Sequence, residues 1–183
     1  MNLIQEDYFC YIENAITQEE IKIIKEYWHN LPIGVNNKEN VWDLGENITS
    51  IKREDKNVEV AGIPLNRVNF LTERLKDIFN LVMSEDFILE GPHYYIKYPT
   101  EGFHSTHRDD APFGNFKRKK VVTLQISDSK DYVGGDLVIK GVKAPRAKGT
   151  AIIYDSNKFH EVTTVLEGTR FSITECAGML INI

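Results

Sequence analysis

Apolar and polar positions follow a helical period soon after the start of the chain. Thr17 and Glu20 have the spacing of a capping box, in which a hydroxyl and a carboxylate each satisfy an unpaired amide at a helix start. Apolar residues then recur at helical spacing, at Ile21, Ile24 and Trp28, until a proline and a glycine interrupt the run. The pattern predicts a first helix that begins just after Thr17.

A second apolar stripe has the most regular helical spacing of the chain. It comprises Val68, Leu71, Leu75, Ile78, Phe79 and Val82. We expect this helix to begin at Pro64, because proline needs no amide hydrogen at the first helical position. The polar segment 40–60, between the two helices, predicts one or two strands.

From about Phe87 onward, short apolar segments alternate with turn-forming glycines and prolines. The expected strands are 88–98, 119–127, 135–140, 150–154, 159–165 and 169–176. Many short strands at regular spacing are typical of a sandwich or a barrel. No repeat, low-complexity segment or linker separates the helical part from the strands. The simplest prediction is therefore one domain over residues 1–183, a mostly β barrel or jelly roll with helices packed on one sheet.

Composition and charge narrow the class of protein. The chain has 183 residues, with 22 basic and 27 acidic side chains and a formal net charge of −5. This acidic balance argues against a general nucleic-acid binder, although Lys117–Lys120 is a local basic run that we expect in a solvated loop. Neither a signal-like start nor a membrane-length apolar run is visible, so we expect a cytoplasmic location. Two cysteines, Cys10 and Cys176, cannot form a disulfide framework and lack zinc-site spacing.

The most informative chemistry lies at His107 and Asp109. In an extended segment, residues two apart point to the same side, so an imidazole and a carboxylate converge. Alone, such a triplet is more often a surface pair. His160 opens a later strand, and it would complete a set of two histidines and one carboxylate. That set leaves coordination positions open around iron(II), where oxygen and an organic co-substrate can bind together.

Arg170 follows His160 by ten residues, across a turn. Along the expected strand Arg170, Ser172, Thr174 and Cys176 share one side. The plain interpretation of Arg170 is a surface residue in a salt bridge. A guanidinium buried inside a barrel would instead need a carboxylate partner, which a dicarboxylate co-substrate supplies with two parallel hydrogen bonds.

The remaining histidines have simpler interpretations. His104 is three residues from His107, so on a regular strand it is expected to face away. His93 and His29 fall in a turn and at a helix end, and we expect them to be solvated or hydrogen-bonded.

The ordered set His107-x-Asp109, His160 and Arg170 resembles the iron(II)- and 2-oxoglutarate-dependent dioxygenases. Within that superfamily it is similar to the prolyl 4-hydroxylase-like branch, which includes PKHD-type hydroxylases. The similarity extends over about half of the chain. It includes Tyr98-Pro99 and Gly102, the segments 122–128 and 131–137, Pro145, Gly149 and His160-Glu161-Val162.

The resemblance implies a double-stranded β-helix (a cupin-like jelly roll) over 88–181, backed by helices and flanking strands in 1–87. It implies that His107, Asp109 and His160 bind Fe(II), that Arg170 binds the distal carboxylate of 2-oxoglutarate, and that Tyr98 and Leu137 contact this co-substrate. Gln125 stands where the family often has an aromatic residue, and its amide could donate to a carboxylate. The segment 110–120 is a candidate lid over the substrate.

The implied activity is hydroxylation of a prolyl residue in a peptide or protein, with 2-oxoglutarate converted to succinate and CO2. O2 is the second co-substrate, and ascorbate is a stimulant in this view. One alternative keeps the cofactors but acts on an alkylated nucleobase or a free amino acid. Nucleic-acid demethylases of this superfamily usually carry a second arginine where this chain has Cys176, which disfavours that alternative. The other alternative is a cupin-like metal-binding module without turnover, which has no need of Arg170.

Overall fold

The computed structural model describes residues 1–29, 33–35, 50–53, 56–63, 65–111 and 114–181. It contains two helices, α1 (Gln18–His29) and α2 (Asn69–Asn80). The strands of the first half are β1 (Ile4–Gln5), β2 (Cys10–Ile12), β3 (Ile33–Val35), β4 (Ser50–Arg53), β5 (Val58–Ile63), β6 (Ile88–Leu89) and β7 (His93–Tyr98). Those of the second half are β8 (His104–His107), β9 (Phe116–Gln125), β10 (Tyr132–Gly134), β11 (Leu137–Ile139), β12 (Val142–Lys143), β13 (Ala151–Asp155), β14 (His160–Val162), β15 (Val165–Gly168) and β16 (Arg170–Leu180).

Helix α1 confirms the predicted capping box. The backbone N–H of Thr17 donates to Glu20 Oε2 at 2.7 Å, and the N–H of Glu20 donates to Thr17 Oγ1 at 3.2 Å. Helix α2 confirms the second stripe, but the start predicted at Pro64 is wrong. Residue 64 lies outside the described part of the chain, residues 65–67 form a turn, and Val68 has the non-helical angles φ −130° and ψ 70°. The helix therefore begins five residues later than expected.

The strands form two principal sheets. The larger sheet has the order β1-β2-β13-β9-β16-β7-β5-β4-β3, with β6 also paired to β16. The smaller sheet has the order β12-β11-β14-β8, and β10 pairs with β15 separately. All pairs are antiparallel except β3 with β4. This arrangement confirms the predicted mostly β jelly roll with supporting helices.

Two apolar clusters hold these layers together. The first packs the helices on one face of the larger sheet; its members include Ile24, Leu71, Leu75, Ile78, Phe79, Tyr95, Leu124 and Ile173. The second lies on the other face, toward the smaller sheet; it includes Val58, Val60, Val121, Leu137, Ile139 and Val162. Strand alternation directs each strand's side chains to the two faces in turn. The central strands of the larger sheet are therefore buried on both sides.

Two expectations about the segment after Asp109 need correction. Lys117–Lys120 was expected in a solvated loop, but it lies in β9, whose backbone pairs with β13 and β16. Because β9 begins at Phe116, the candidate lid cannot extend to residue 120.

Among the described residues, no helix is long and apolar enough to cross a bilayer.

Candidate active site

The smaller sheet brings His107, Asp109 and His160 together. His107 lies opposite His160 in the β8–β14 pair, and Asp109 follows β8 by two residues. The N–H of Asp109 donates to Ser156 O at 2.8 Å, which fixes the backbone after the strand. The candidate ligand atoms of the three side chains all lie within 4.8 Å of one another. Spacing along the sequence and pairing across the sheet thus produce one cluster.

Backbone carbonyls orient both imidazoles of this cluster. Nδ1 of His107 lies 2.7 Å from Ser105 O, and Nδ1 of His160 lies 3.0 Å from Lys158 O. A carbonyl oxygen only accepts, so each Nδ1 carries the hydrogen. The two Nε2 atoms face Asp109, at 3.7 Å from Oδ1 for His107 and 3.3 Å from Oδ2 for His160. The donor set thus presents two imidazole lone pairs and a carboxylate, which fits a divalent metal.

The charge states of the cluster also fit a metal. Burial and the neighbouring His160 lower the pKa of His107. Burial alone would raise the pKa of Asp109, but its contacts with His160, His107 and Arg118 outweigh burial and lower that pKa. Near neutral pH the cluster therefore holds a neutral His107 and a carboxylate, the forms that coordinate a metal.

A cavity of about 180 Å³ adjoins this cluster, between the two sheets. Its walls include Val58 and Tyr98 from the larger sheet and Leu137 and Val162 from the smaller one. Arg170 lines the same cavity and is completely buried. The site therefore combines a candidate metal cluster and a buried guanidinium in one cavity.

Arg170 has neutral hydrogen-bond partners only. Its Nη1 donates to Ser172 Oγ and its Nη2 to Gln125 Oε1, both at 3.1 Å, and its Cζ lies 5.0 Å from the centroid of the Tyr98 ring. No carboxylate in the described part of the chain pairs with it, and its Nε has no hydrogen-bond partner there. A buried charge without a counter-charge is costly, so the arrangement suits an anionic ligand.

The other predicted co-substrate residues take different positions. Tyr98 and Leu137 line the cavity. Burial raises the pKa of Tyr98 although Arg170 opposes the rise, so its phenol stays protonated. Gln125 lies behind the cavity wall: its Oε1 accepts from Arg170, and its Nε2 donates to Pro145 O at 3.0 Å. Gln125 thus orients the guanidinium, and its direct contact with a co-substrate stays a prediction.

The expectation that His104 faces away from His107 is wrong. The two rings stack with their centroids 4.2 Å apart, and His104 lines the cavity. The pairing of β8 with β14 shifts register between His160 and Val162, so four residues on β8 face three on β14. This bulge changes the alternation of side chains, which the sequence does not reveal. Burial, His107 and Lys56 lower the pKa of His104 to about 3.

The prediction that His93 is solvated or hydrogen-bonded is confirmed by its hydrogen bonds, but its expected position in a turn is wrong, because it begins strand β7. It is fully buried between Thr72 Oγ1, at 2.7 Å, and Glu175 Oε2, at 2.5 Å. The side chain of His29 lies outside the described part of the chain.

The sequence analysis missed an ion pair beside the cluster. Arg118 donates from Nε and Nη2 to the two carboxylate oxygens of Glu90, at 2.7 and 2.6 Å, and both residues line the cavity. In the sequence, Arg118 was noted only as a member of the basic run Lys117–Lys120. Its partner lies 28 residues away, so no local pattern links the two.

Comparisons with known proteins agree with this geometry. A model of the 2OG-Fe(II) oxygenase superfamily matches residues 93–176. A PKHD-type hydroxylase of Picosynechococcus sp. is 37% identical over 68 residues, which are 35% of this chain and 31% of that protein. A PKHD-type hydroxylase of Nitrobacter winogradskyi is 30% identical over 113 residues, which are 56% of this chain and 50% of that protein. The chain thus spans about a third to a half of the length of these relatives.

Solved structures share the fold at low sequence identity. A prolyl hydroxylase of Trichoplax adhaerens, in complex with a hypoxia inducible factor peptide fragment, matches with a TM-score of 0.65 and 16% identity, over 93% of this chain and 83% of that one. A Pseudomonas putida prolyl-4-hydroxylase matches with a TM-score of 0.64 and 15% identity, over 96% of this chain and 94% of that one.

The jelly roll, the two-histidine and carboxylate cluster and the family match define the class. Residues 93–176, a little under half of the chain, match the 2OG-Fe(II) oxygenase superfamily, and they contain the cluster of His107, Asp109 and His160. Its sequence is similar to PKHD-type hydroxylases over part of their length, and its fold is similar to that of solved prolyl hydroxylases. The match to this superfamily implies iron(II) and 2-oxoglutarate as the cofactors.

Proposed function

We propose that this chain is an iron(II)- and 2-oxoglutarate-dependent oxygenase that hydroxylates a prolyl residue in a peptide or protein. One observation carries the proposal: the cavity beside His107, Asp109 and His160 contains the buried Arg170, which has no carboxylate partner among the described residues. A metal-binding module without turnover would bear the cost of burying that charge without a use for it.

His107, Asp109 and His160 would hold the iron. Their lone pairs converge, and the carbonyls of Ser105 and Lys158 fix the imidazole orientations before any metal binds. When bound, iron(II) and 2-oxoglutarate supply the oxidising chemistry, in which one atom of O2 enters succinate and the other enters the substrate. The protein contributes position and exclusion of water rather than a general acid or base.

Arg170 would bind the distal carboxylate of 2-oxoglutarate. Its planar guanidinium is held by Ser172 and Gln125, and Tyr98 lies against its face. This support orders the side chain before ligand arrives, so less conformational entropy is lost on binding. Leu137 would provide an apolar wall for the carbon chain of the co-substrate.

The prolyl substrate is proposed from the relatives and the rim of the site. The relatives are named PKHD-type hydroxylases, and one structural neighbour is a prolyl hydroxylase in complex with a peptide fragment. In this chain the residues next to the metal cluster include Phe159, which is 49% exposed, with Arg108 Cζ 5.1 Å from its ring centroid. An exposed aromatic suits an extended proline-containing peptide, which loses little entropy on docking.

A peptide screen tests this function. The protein is supplied with iron(II), 2-oxoglutarate, O2 and proline-containing peptides, with and without ascorbate. We expect succinate release above the peptide-free rate and a gain of one oxygen atom at proline in the mass spectrum. Methylated single-stranded DNA and free amino acids serve as competing substrates. Stimulation by either of these, with no response to any peptide, would contradict the prolyl assignment while keeping the oxygenase class.

A further inference from the structure

The Glu90–Arg118 ion pair lies against the carboxylate of the candidate metal cluster. Arg118 uses Nε and Nη2 for Glu90, and its remaining terminal nitrogen, Nη1, lies 3.9 Å from Asp109 Oδ1. The side chains are largely buried, with 12% of Arg118 and 5% of Glu90 exposed. Burial disfavours the charge of Arg118, but the Glu90 carboxylate raises its pKa well above the ordinary value. Arg118 therefore stays positively charged, and its side chain lies next to Asp109 of the candidate metal cluster.

Glu90 is held firmly on the far side of Arg118. Its backbone N–H donates to Cys176 O at 2.9 Å, and the next N–H, of Gly91, donates to Glu175 Oε1 at 3.1 Å. These bonds attach the Glu90 backbone to β16, in the centre of the larger sheet. Glu90 therefore serves as a fixed anchor for the guanidinium.

Asp109 is connected to Arg118 on β9 through Ser156, which directly follows β13. Its N–H donates to Ser156 O at 2.8 Å, and Ser156 Oγ in turn donates to Arg118 O at 2.9 Å. The carboxylate and the guanidinium thus form a long ion pair, with Arg118 Nη1 at 3.9 Å from Asp109 Oδ1. At 3.9 Å that pair is not hydrogen-bonded, because Glu90 holds the guanidinium by two charge-assisted bonds.

We propose that Glu90 is a positioning residue that restrains Arg118 and thereby keeps the Asp109 carboxylate available to the metal. The inference rests on the proposed metal site. Without the charge of Glu90, the guanidinium would turn to Asp109, the other described carboxylate within 4 Å of it, and would compete with the metal for its oxygens. The restraint should be visible in metal affinity itself, in the absence of turnover.

Cobalt(II) titration under anaerobic conditions, without 2-oxoglutarate, measures this restraint. Glu90→Gln keeps the shape of the side chain and removes its charge, and loss of such an outer partner is expected to weaken cobalt binding about 10- to 100-fold. Removing the competitor as well should restore binding: Glu90→Gln/Arg118→Gln is expected to return to within about threefold of the parent. A pair that only stabilised the fold would not show this recovery.

A third variant keeps the test decisive if Glu90→Gln does not fold. Once Arg118 is replaced, Glu90 has nothing to restrain, so Arg118→Gln and the double variant should bind cobalt within about threefold of each other. Glu59→Gln is the matched control, because Glu59 forms a 2.9 Å ion pair with Lys97 and does not line the cavity. It should leave cobalt affinity unchanged.

Three results would overturn the inference. These are unchanged affinity in Glu90→Gln, a double variant as weak as Glu90→Gln, and a difference of more than about tenfold between Arg118→Gln and the double variant. Absence of cobalt binding in the parent protein is a separate result, because it would remove the proposed metal site itself. The two failures are therefore distinguishable.

Discussion

Strand β16 carries two completely buried charged residues on opposite faces of the larger sheet, and their partners differ. Glu175, on the helix side, accepts from Gly91 N and Cys176 N and pairs with His93 Nδ1. Arg170, on the cavity side, has two neutral partners and a nitrogen without a hydrogen-bond partner among the described residues. One charge is paired within the fold, whereas the other has no counter-charge among the described residues.

This difference separates structural from functional burial. Buried charges are retained where the fold itself pairs them or where a ligand does so. On the helix side, loss of a partner should therefore reduce stability. On the cavity side, substitutions should change ligand binding and turnover while stability changes little. The following predictions test that division.

The largest effect is expected at the metal cluster. Asp109→Ala removes the only carboxylate of the three candidate ligands, so the coordination shell becomes incomplete. Succinate formation should fall to background, and the melting temperature of the metal-free protein should stay near that of the parent. Full turnover and metal content in this variant would disprove the ligand assignment.

Glu175→Ala should have the largest effect on stability. It leaves the buried His93 and two backbone amides without their acceptor, and breaking a buried pair costs about 3–5 kcal/mol. Chemical denaturation measures the free energy of unfolding. Glu73→Ala is the control, because its ion pair with Lys76 is exposed and should contribute less than about 1 kcal/mol. Equal losses in both variants would remove the structural role of the Glu175 network.

A smaller effect is expected at Gln125, behind Arg170. Gln125→Leu removes the acceptor of Arg170 Nη2 and leaves the guanidinium less well oriented. The affinity for 2-oxoglutarate should fall about tenfold, equivalent to about 1.4 kcal/mol, and metal affinity should be unchanged. Anaerobic isothermal titration with 2-oxoglutarate measures the first affinity, and cobalt(II) titration without 2-oxoglutarate measures the second. A loss as large as that of Arg170→Met would indicate that Gln125 contacts the co-substrate directly.

A further prediction concerns the dependence of stability on pH. The pKa of His104 is lowered to about 3, so below its ordinary value of 6.5 the unfolded chain binds a proton that the folded protein does not. His104 therefore opposes folding as the pH falls from about 6.5, by at most about 1.4 kcal/mol per pH unit. In the metal-free protein, His104→Asn should show a shallower loss of stability between about pH 6.5 and 4.5. Identical slopes in parent and variant would contradict the buried, neutral state of His104.

The sequence predicted the site where chemistry follows from spacing and strand order. His107 and Asp109 are two residues apart, and the hairpin order placed His160 and Arg170 on strands that close the same barrel. The predicted first helix was likewise correct, because its capping box acts locally. Such features depend on residues that are close together along the chain, so a single sequence is enough to predict them.

Features that depend on pairing across the sheets were missed. The bulge that turns His104 into the cavity is a property of two strands together. The start of α2 was misplaced because a turn over residues 65–67 precedes the helix, whereas proline alone suggested an earlier start. The Glu90–Arg118 pair joins strand β9 to the segment between β6 and β7, and no periodicity within either segment encodes it.

The affinity of Arg170→Met for 2-oxoglutarate tests the central claim most directly. It is measured by anaerobic titration with iron(II) present, beside Arg170→Lys, which offers a point charge in place of a planar fork. Truncating one member of a buried charge pair costs about 2–5 kcal/mol, so Arg170→Met should bind 2-oxoglutarate about 30-fold to several thousand-fold more weakly. Arg170→Lys should recover part of that loss, and iron affinity should not change in either variant. Unchanged 2-oxoglutarate affinity in Arg170→Met would contradict the claim that this buried charge awaits a co-substrate.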